Sequence, residues 1–268
     1  MVYNLHSMYP ITEKQVLRED YLLIKVRANH LKGAKAGQYA LIQYKELSEP
    51  LPLSILDVEG EEAIFLVKTV GRSTLELKEE AESLFYVAGP LGVPFPVKHY
   101  GKVVFITKDW GVSPAFNLAK HLKKENNQLE LYHISEDGFL PIKERLESVF
   151  DKVEVWDRIG HIDADLLVSA GSNKLSREVQ LLNQGTQHIA MVNTHILDGV
   201  GLCLVCRVLV DGQVKLACTD GPWFFADKVD WDNLISREDL FLEQEKLALE
   251  EYKKILRRKE LRKTSAEV

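Results

Sequence analysis

All three cysteines of this 268-residue chain lie in one stretch, "LDGVGLCLVCRVLVDGQVKLACTDG" at 197–221, and Asp198 stands five positions ahead of the first. Cys203 and Cys206 form a C-x2-C turn that puts two thiolates on one side of a tight loop, and Cys218 returns to them across "VLVDGQVKLA". A tetrahedral metal ion or the iron pair of a cluster needs four ligands, so three thiolates require one more side chain. With Asp198 in first place the spacing becomes that of plant-type 2Fe-2S loops, C-x4-C-x2-C and a distant cysteine, with aspartate for the first cysteine. Gly199 and Gly201 let the backbone curl and aim N–H groups at inorganic sulfur. Two other readings stay open: structural zinc completed by His195 or Asp198, and three cysteines merely buried in a hairpin. His195 suits zinc poorly, because seven residues separate it from Cys203 where zinc ligands usually recur after about two to four.

Something must position that loop. From residue 10 to about 97 short apolar runs such as "YLLIKV", "YALIQY" and "AIFLVK" alternate with Gly, Pro and charged turns, which predicts an all-β unit, a small barrel, over 1–98. After "GPLGVPFPV" the pattern changes to buried strands ("KVVFIT", "QLELYHI", "ADLLVSAG") and a helix in "SPAFNLAKHLKKEN", which predicts βαβ units and a parallel sheet over 99–194. The cysteine segment, 195–234, holds two short strands joined by Asp211-Gly212, a strong hairpin signal. One long helix is expected over 235–268, capped by Ser236 with Asp239 three residues on. Phe241, Ala248, Tyr252 and Ile255, with Leu242, Leu249 and Leu256 beside them, give it an apolar stripe to bury against this chain or a partner.

Composition narrows the function. Hydrophobic residues are 46% of the chain, no apolar run approaches the roughly 18–20 residues of a bilayer span, and the clustered, odd-numbered cysteines argue against a disulfide framework. A cytoplasmic, non-membrane protein is expected. The net charge of −6 hides seven Lys/Arg against two Glu in residues 253–268, which suits the negative pole of a helix end and is no nucleic-acid footprint.

On these residues the chain resembles the FAD and 2Fe-2S electron-transfer subunits of the ferredoxin reductase superfamily, the dihydroorotate dehydrogenase electron-transfer subunits among them. It is more closely similar to the small subunits of NADH-dependent reduced ferredoxin:NADP oxidoreductase and sulfide dehydrogenase. Those carry DGxGxCxxCR…ACxDGPxF, matched here by "DGVGLCLVCRVLVDGQVKLACTDGPWF". The likeness extends through "GQY" at 37–39, "PLS" at 52–54, "VGRSTLEL" at 70–77, "GPLG" at 89–92 and the "LEQEKLALEEYKK" helix. It implies a ferredoxin reductase-like β-barrel plus α/β fold with a C-terminal 2Fe-2S hairpin module and a long C-terminal helix. It also implies FAD, a 2Fe-2S cluster and a NAD(P)H site, with a larger flavin and iron-sulfur oxidoreductase subunit, and ferredoxin, as partners.

Carried over by position, Asp198, Cys203, Cys206 and Cys218 would ligate the cluster. Pro52, Leu53 and Ser54 would line the flavin, and Gly71, Ser73 and Thr74 would receive its pyrophosphate. Small residues with free N–H groups make an anion-binding nest, although "GRST" is also an ordinary helix N-terminus. Two departures stand out. Pro50 occupies the position of the family's flavin-strand arginine, which Arg72 would partly replace. In the nucleotide unit the family's Gly-Gly-Gly-x-Gly turn is here "TKDWGVSP": Thr107, Lys108 and Asp109 replace three glycines, Trp110 adds bulk, and Gly111 and Pro114 remain to meet a nucleotide. Two functions therefore stand side by side, a flavoprotein passing electrons from NAD(P)H to the cluster and a non-catalytic relay or assembly subunit without nicotinamide binding. A zinc-stabilised interaction module is a third.

Overall fold

The computed structural model describes residues 9–238 and 242–266, with side chains described through Arg258. The N-terminal part contains β1 (Tyr9–Arg18), β2 (Tyr21–Arg27), β3 (Tyr39–Gln43), β4 (Leu51–Ser54), β5 (Asp57–Glu59), β6 (Glu62–Lys68), helix α1 (Arg72–Glu80), β7 (Ser83–Leu84) and β8 (Tyr86–Leu91). These strands form two antiparallel sheets, β5-β6-β2-β1-β7 and β4-β3-β8. Their inner residues, Leu22, Ile24, Ile42, Phe65 and Val67 among them, are fully buried in one core. β1 was not legible as an apolar run because most of its residues face solvent.

The next part alternates as expected: β9 (Lys102–Lys108), α2 (Val112–Leu122), β10 (Gln128–Ile134), α3 (Lys143–Glu147), β11 (Lys152–Trp156), β12 (Leu166–Ala170), α4 (Asn173–Leu182) and β13 (His188–Met191). The five strands pair in parallel in the order β11-β10-β9-β12-β13. The cysteine segment follows with the hairpin β14 (Arg207–Val210) and β15 (Gln213–Leu216), whose Asp211 and Gly212 have φ 52° and 71°, as a two-residue primed turn requires. It then adds β16 (Trp223–Phe225), antiparallel to β13, as an edge strand of the parallel sheet.

The C-terminal helical region begins earlier than the sequence suggested. Helix α5 spans Trp231–Glu238, and the Asp230 carboxylate accepts from the Asn233 backbone N–H at 3.0 Å, so Asp230 caps it. Ser236 lies inside α5 and donates to the Asn233 carbonyl; its expected partner Asp239, and Phe241, fall outside the described residues. Burial of Trp231 and Leu234 against the cysteine hairpin fixes the earlier start. Helix α6 (Leu242–Ala266) packs on α1 through Tyr252, which is buried with the Arg72 guanidinium 5.8 Å from its ring centroid. Its other stripe residues are less covered, and Leu242 and Ile255 are exposed.

The parallel sheet buries two histidines as neutral rings. His188 bonds Ser169 Oγ (2.8 Å) and Gln180 Oε1 (3.1 Å), and His133 bonds Thr107 Oγ1 (2.9 Å). Burial lowers their pKa values to about 3 and about 4. An unfolded chain protonates both near pH 6.5 while the folded one does not, so stability is full above that pH and falls as pH drops through 6.5 toward 4. Urea unfolding between pH 7 and 5 is expected to lose stability at up to about 1.4 kcal/mol per histidine per pH unit below 6.5. His188→Gln should flatten that slope by one proton; an unchanged slope would contradict a neutral His188.

Candidate functional site

The cysteine loop is held from three sides. Gly199 and Gly201 have φ 70° and 82°, the left-handed region in which glycine is unstrained. A Cβ on Gly199 would lie 2.8 Å from Leu91 Cδ1 and 2.9 Å from Leu41 Cδ1, so the loop rests directly on β8 and β3. The Arg237 guanidinium on α5 donates to the carbonyls of Val205 (2.7 Å) and Arg207 (2.5 Å), the residues flanking Cys206. Within the loop the Asp198 carboxylate accepts from the backbone N–H groups of Val200, Gly201, Leu202 and Cys203 at 2.6–3.3 Å. Burial alone would raise its pKa; the Cys203, Val200 and Leu202 N–H groups outweigh that and hold it at about 2.

Cys206 and Cys218 are buried with their sulfurs 3.2 Å apart, while Cys203 is exposed. Burial, with Cys206 adjacent, pushes the Cys218 thiol up to about 12, so binding a metal there must expel a proton. The structure thus brings two of the four expected ligands into contact and sets the other two on the adjoining loop. Among the described residues no group of three or more His, Cys, Asp or Glu side chains already meets as a metal site. His195 is exposed. The donor set nevertheless fits a thiolate-bound centre: two thiols adjoin, and the loop's N–H groups converge on negative charge as a nest does.

The flavin-strand and helix motifs also lie together. β4 is an edge strand with Pro52 exposed and Leu53 and Ser54 half-buried, and it pairs with β3 so that Pro52 faces Leu41 and Ser54 faces Tyr39. Leu41 is the residue on which the cysteine loop rests, so one strand links the two motifs. Gly71 caps α1, and Thr74 Oγ1 accepts from the N–H groups of Val70 and Gly71 at 3.1 Å. Ser73 Oγ lies 3.4 Å from Glu49, just ahead of β4, which places the helix N-terminus beside β4. Arg72 is paired with buried Glu76 at 3.0 Å, which also binds Lys45. It is therefore anchored to α1 and not extended from it.

Side chains occupy the turn at 107–114 that the resemblance assigns to a nucleotide. Asp109 has φ 54°, and its carboxylate accepts from Lys68 Nζ on β6 at 2.6 Å and from the Tyr21 hydroxyl on β2 at 3.3 Å. Gly111 is buried so tightly that a Cβ would lie 2.0 Å from the Ala170 carbonyl at the end of β12. Pro114 is buried in the first turn of α2. Trp110 packs partly buried against the sheet core. A cavity of about 260 Å³ beside this turn is lined by Arg18, Lys108, Asp109, His133 and Asp137, with Arg18 already bound to Asp20 and Asp137. The Lys68–Asp109 contact was invisible to sequence reading, since the partners are 41 positions apart.

Residues 193–230 match the family model for the iron-sulfur cluster binding domain of dihydroorotate dehydrogenase B. Across the whole chain, a dihydroorotate dehydrogenase B (NAD(+)) electron transfer subunit homolog from Thermotoga maritima is 31% identical, with 92% of this chain and 96% of that protein aligned. The chain belongs to this electron transfer subunit family. The electron transfer subunit of dihydroorotate dehydrogenase B from Clostridium perfringens is 27% identical over 75% of this chain and 89% of its own length. A solved chain of NADH-dependent reduced ferredoxin-NADP oxidoreductase, studied for flavin-based electron bifurcation, superposes with a TM-score of 0.83 at 28% identity, covering 92% of this chain and 98% of that one. Phthalate dioxygenase reductase, at a TM-score of 0.52 and 13% identity over 71% of this chain and 69% of its own, shares the fold. This member of the family is an electron-transfer subunit of an oxidoreductase complex with a ferredoxin reductase-like fold. Among the described residues no helix is long and apolar enough to cross a membrane.

Proposed function

We propose that this chain carries FAD on its barrel and a 2Fe-2S cluster on its cysteine loop, and that it exchanges electrons with a larger flavin and iron-sulfur subunit of a cytoplasmic complex instead of oxidising NAD(P)H rapidly at its own sheet. Ferredoxin is a further partner in this reading. The residue division 1–98, 99–194, 195–234 and 235–268 belongs to it as the functional division of the chain. Asp198, Cys203, Cys206 and Cys218 would hold the cluster, with the Asp198 carboxylate turning from the loop N–H groups to iron. Pro52, Leu53 and Ser54 would face the flavin ring, and the N–H groups after Gly71 would meet the pyrophosphate, with Arg72, Ser73 and Thr74 fixing that turn. Bound flavin supplies the exchange between two-electron and one-electron transfer. The seat of Gly199 on Leu41, which pairs with Pro52, keeps flavin strand and cluster loop at a fixed, short separation.

The observation that carries the nicotinamide part is Asp109. At the turn where the family resemblance implies glycine N–H groups against a pyrophosphate, this chain holds a carboxylate in place with Lys68 and Tyr21. An unpaired negative charge about 4 Å from a phosphate would cost about 1 kcal/mol in water and about 4 kcal/mol at an effective dielectric of 20; the Lys68 ion pair and Lys108 offset part of that for Asp109, and the Cβ atoms of Thr107, Lys108 and Asp109 add bulk. Gly111 and Pro114, expected to meet the nucleotide, pack against β12 and within α2. Anaerobic mixing of NADH or NADPH with the oxidised protein tests this. Flavin bleaching is expected to be slow or absent while dithionite reduces the flavin fully; rapid stoichiometric bleaching at micromolar nucleotide would overturn it.

A further inference from the structure

Tyr39, the last residue of "GQY" and the first of β3, is 2% exposed, and its hydroxyl has no hydrogen-bond partner among the described residues. A buried donor left unsatisfied costs about 1–3 kcal/mol, so its persistence marks an acceptor that belongs beside it. Packing does not account for the oxygen, since a phenylalanine ring would fill the same space. The ring shares one core cluster with Cys206 and Cys218. Two of the four expected cluster ligands therefore lie in the core that buries this ring. On its strand Tyr39 pairs with Ser54 of the flavin strand and with Leu91 of β8, against which the cysteine loop rests. It therefore stands between the two motifs, with an unused donor on a ring that shares the cysteines' core.

We propose that the Tyr39 hydroxyl donates its hydrogen bond to the iron-sulfur centre held by Asp198, Cys203, Cys206 and Cys218, and so raises the readiness of that centre to accept an electron. The inference rests on the ligand set given under the proposed function. An electron added to the centre increases its negative charge, and a donor aimed at it stabilises that reduced state more than the oxidised one. Removing the donor lowers the reduction potential, and strengthening it raises the potential.

The test is an EPR-monitored redox titration of the anaerobically purified holoprotein, after its iron and acid-labile sulfide have been measured. Tyr39→Phe is expected to keep the iron and sulfide of one cluster, and at the wild-type midpoint to show a roughly tenfold lower ratio of reduced to oxidised centre, about 59 mV for one electron. A protein carrying 3,5-difluorotyrosine at position 39 retains ring and hydroxyl but donates more strongly, and its midpoint should shift the other way. Opposite shifts are not the signature of a residue that only packs. If Tyr39→Phe fails to load iron, the fluorinated protein decides, and a midpoint equal to wild type overturns the proposal. Midpoints unchanged in both variants, with clusters intact, overturn the proposal and leave the ligand set standing. Wild-type protein without iron overturns the ligand set and this inference with it.

Discussion

Cys218→Ser protein purified anaerobically is expected to retain less than about a tenth of the wild-type iron and sulfide, with its far-UV circular dichroism unchanged. Loss of even an outer-shell partner typically costs a metal site about 10–100-fold in affinity, and loss of a ligand costs more. Cys218 is buried with its sulfur 3.2 Å from Cys206, and a serine there replaces a thiol that ionises to a metal-binding thiolate with a hydroxyl that ionises far less readily. Cys206→Ser should behave alike, since Arg237 holds the Cys206 backbone on both sides. Asp198→Cys, by contrast, supplies the thiolate usual in plant-type loops and should load fully. Wild-type iron content in both serine variants would remove the two buried cysteines from the ligand set.

Trp223→Ala is expected to destabilise the protein by about 3–5 kcal/mol in urea unfolding, the range for truncating a buried large aromatic. Trp223 follows the last cysteine motif in β16 and joins all three parts of the fold. Its indole N–H donates to the Gly37 carbonyl at 2.9 Å, in the turn that leads into β3. Its ring meets Phe95 edge-on with centroids 5.4 Å apart. Gly37, at φ 78°, leaves so little space that a Cβ would come within 2.4 Å of Trp223 Nε1 and 3.2 Å of Leu118 Cδ2 on α2. Trp223→Phe keeps part of the ring contact and loses the hydrogen bond, so it should cost distinctly less than the alanine. An alanine variant within about 1 kcal/mol of wild type would show that the junction is held elsewhere.

What could be read in advance was local. The ligand spacing lies within 21 consecutive residues, and the Asp211-Gly212 hairpin follows from two residues that tolerate positive φ. Buried strands such as Val103–Ile106 announce themselves by unbroken apolar runs, whereas β1 and half-exposed β11 do not. The helix start was misplaced because Asp230 and Ser236 both have capping chemistry, and only burial of Trp231 and Leu234 on the cysteine hairpin selects the first. Long-range contacts were out of reach altogether. Nothing in "TKDWGVSP" says that Lys68 and Tyr21 hold Asp109, and nothing in "GQY" says that the tyrosine shares a core with cysteines far along the chain.

The most direct measurement is the composition of the anaerobically purified chain: iron, acid-labile sulfide, zinc and heat-released flavin per polypeptide, with the visible spectrum recorded beforehand. One 2Fe-2S cluster and one FAD per chain are expected, the flavin being FAD because the Gly71 turn beside β4 is the proposed pyrophosphate site and FMN has no pyrophosphate. Stoichiometric zinc without iron, in a colourless protein that takes up no FAD on reconstitution, would contradict the account.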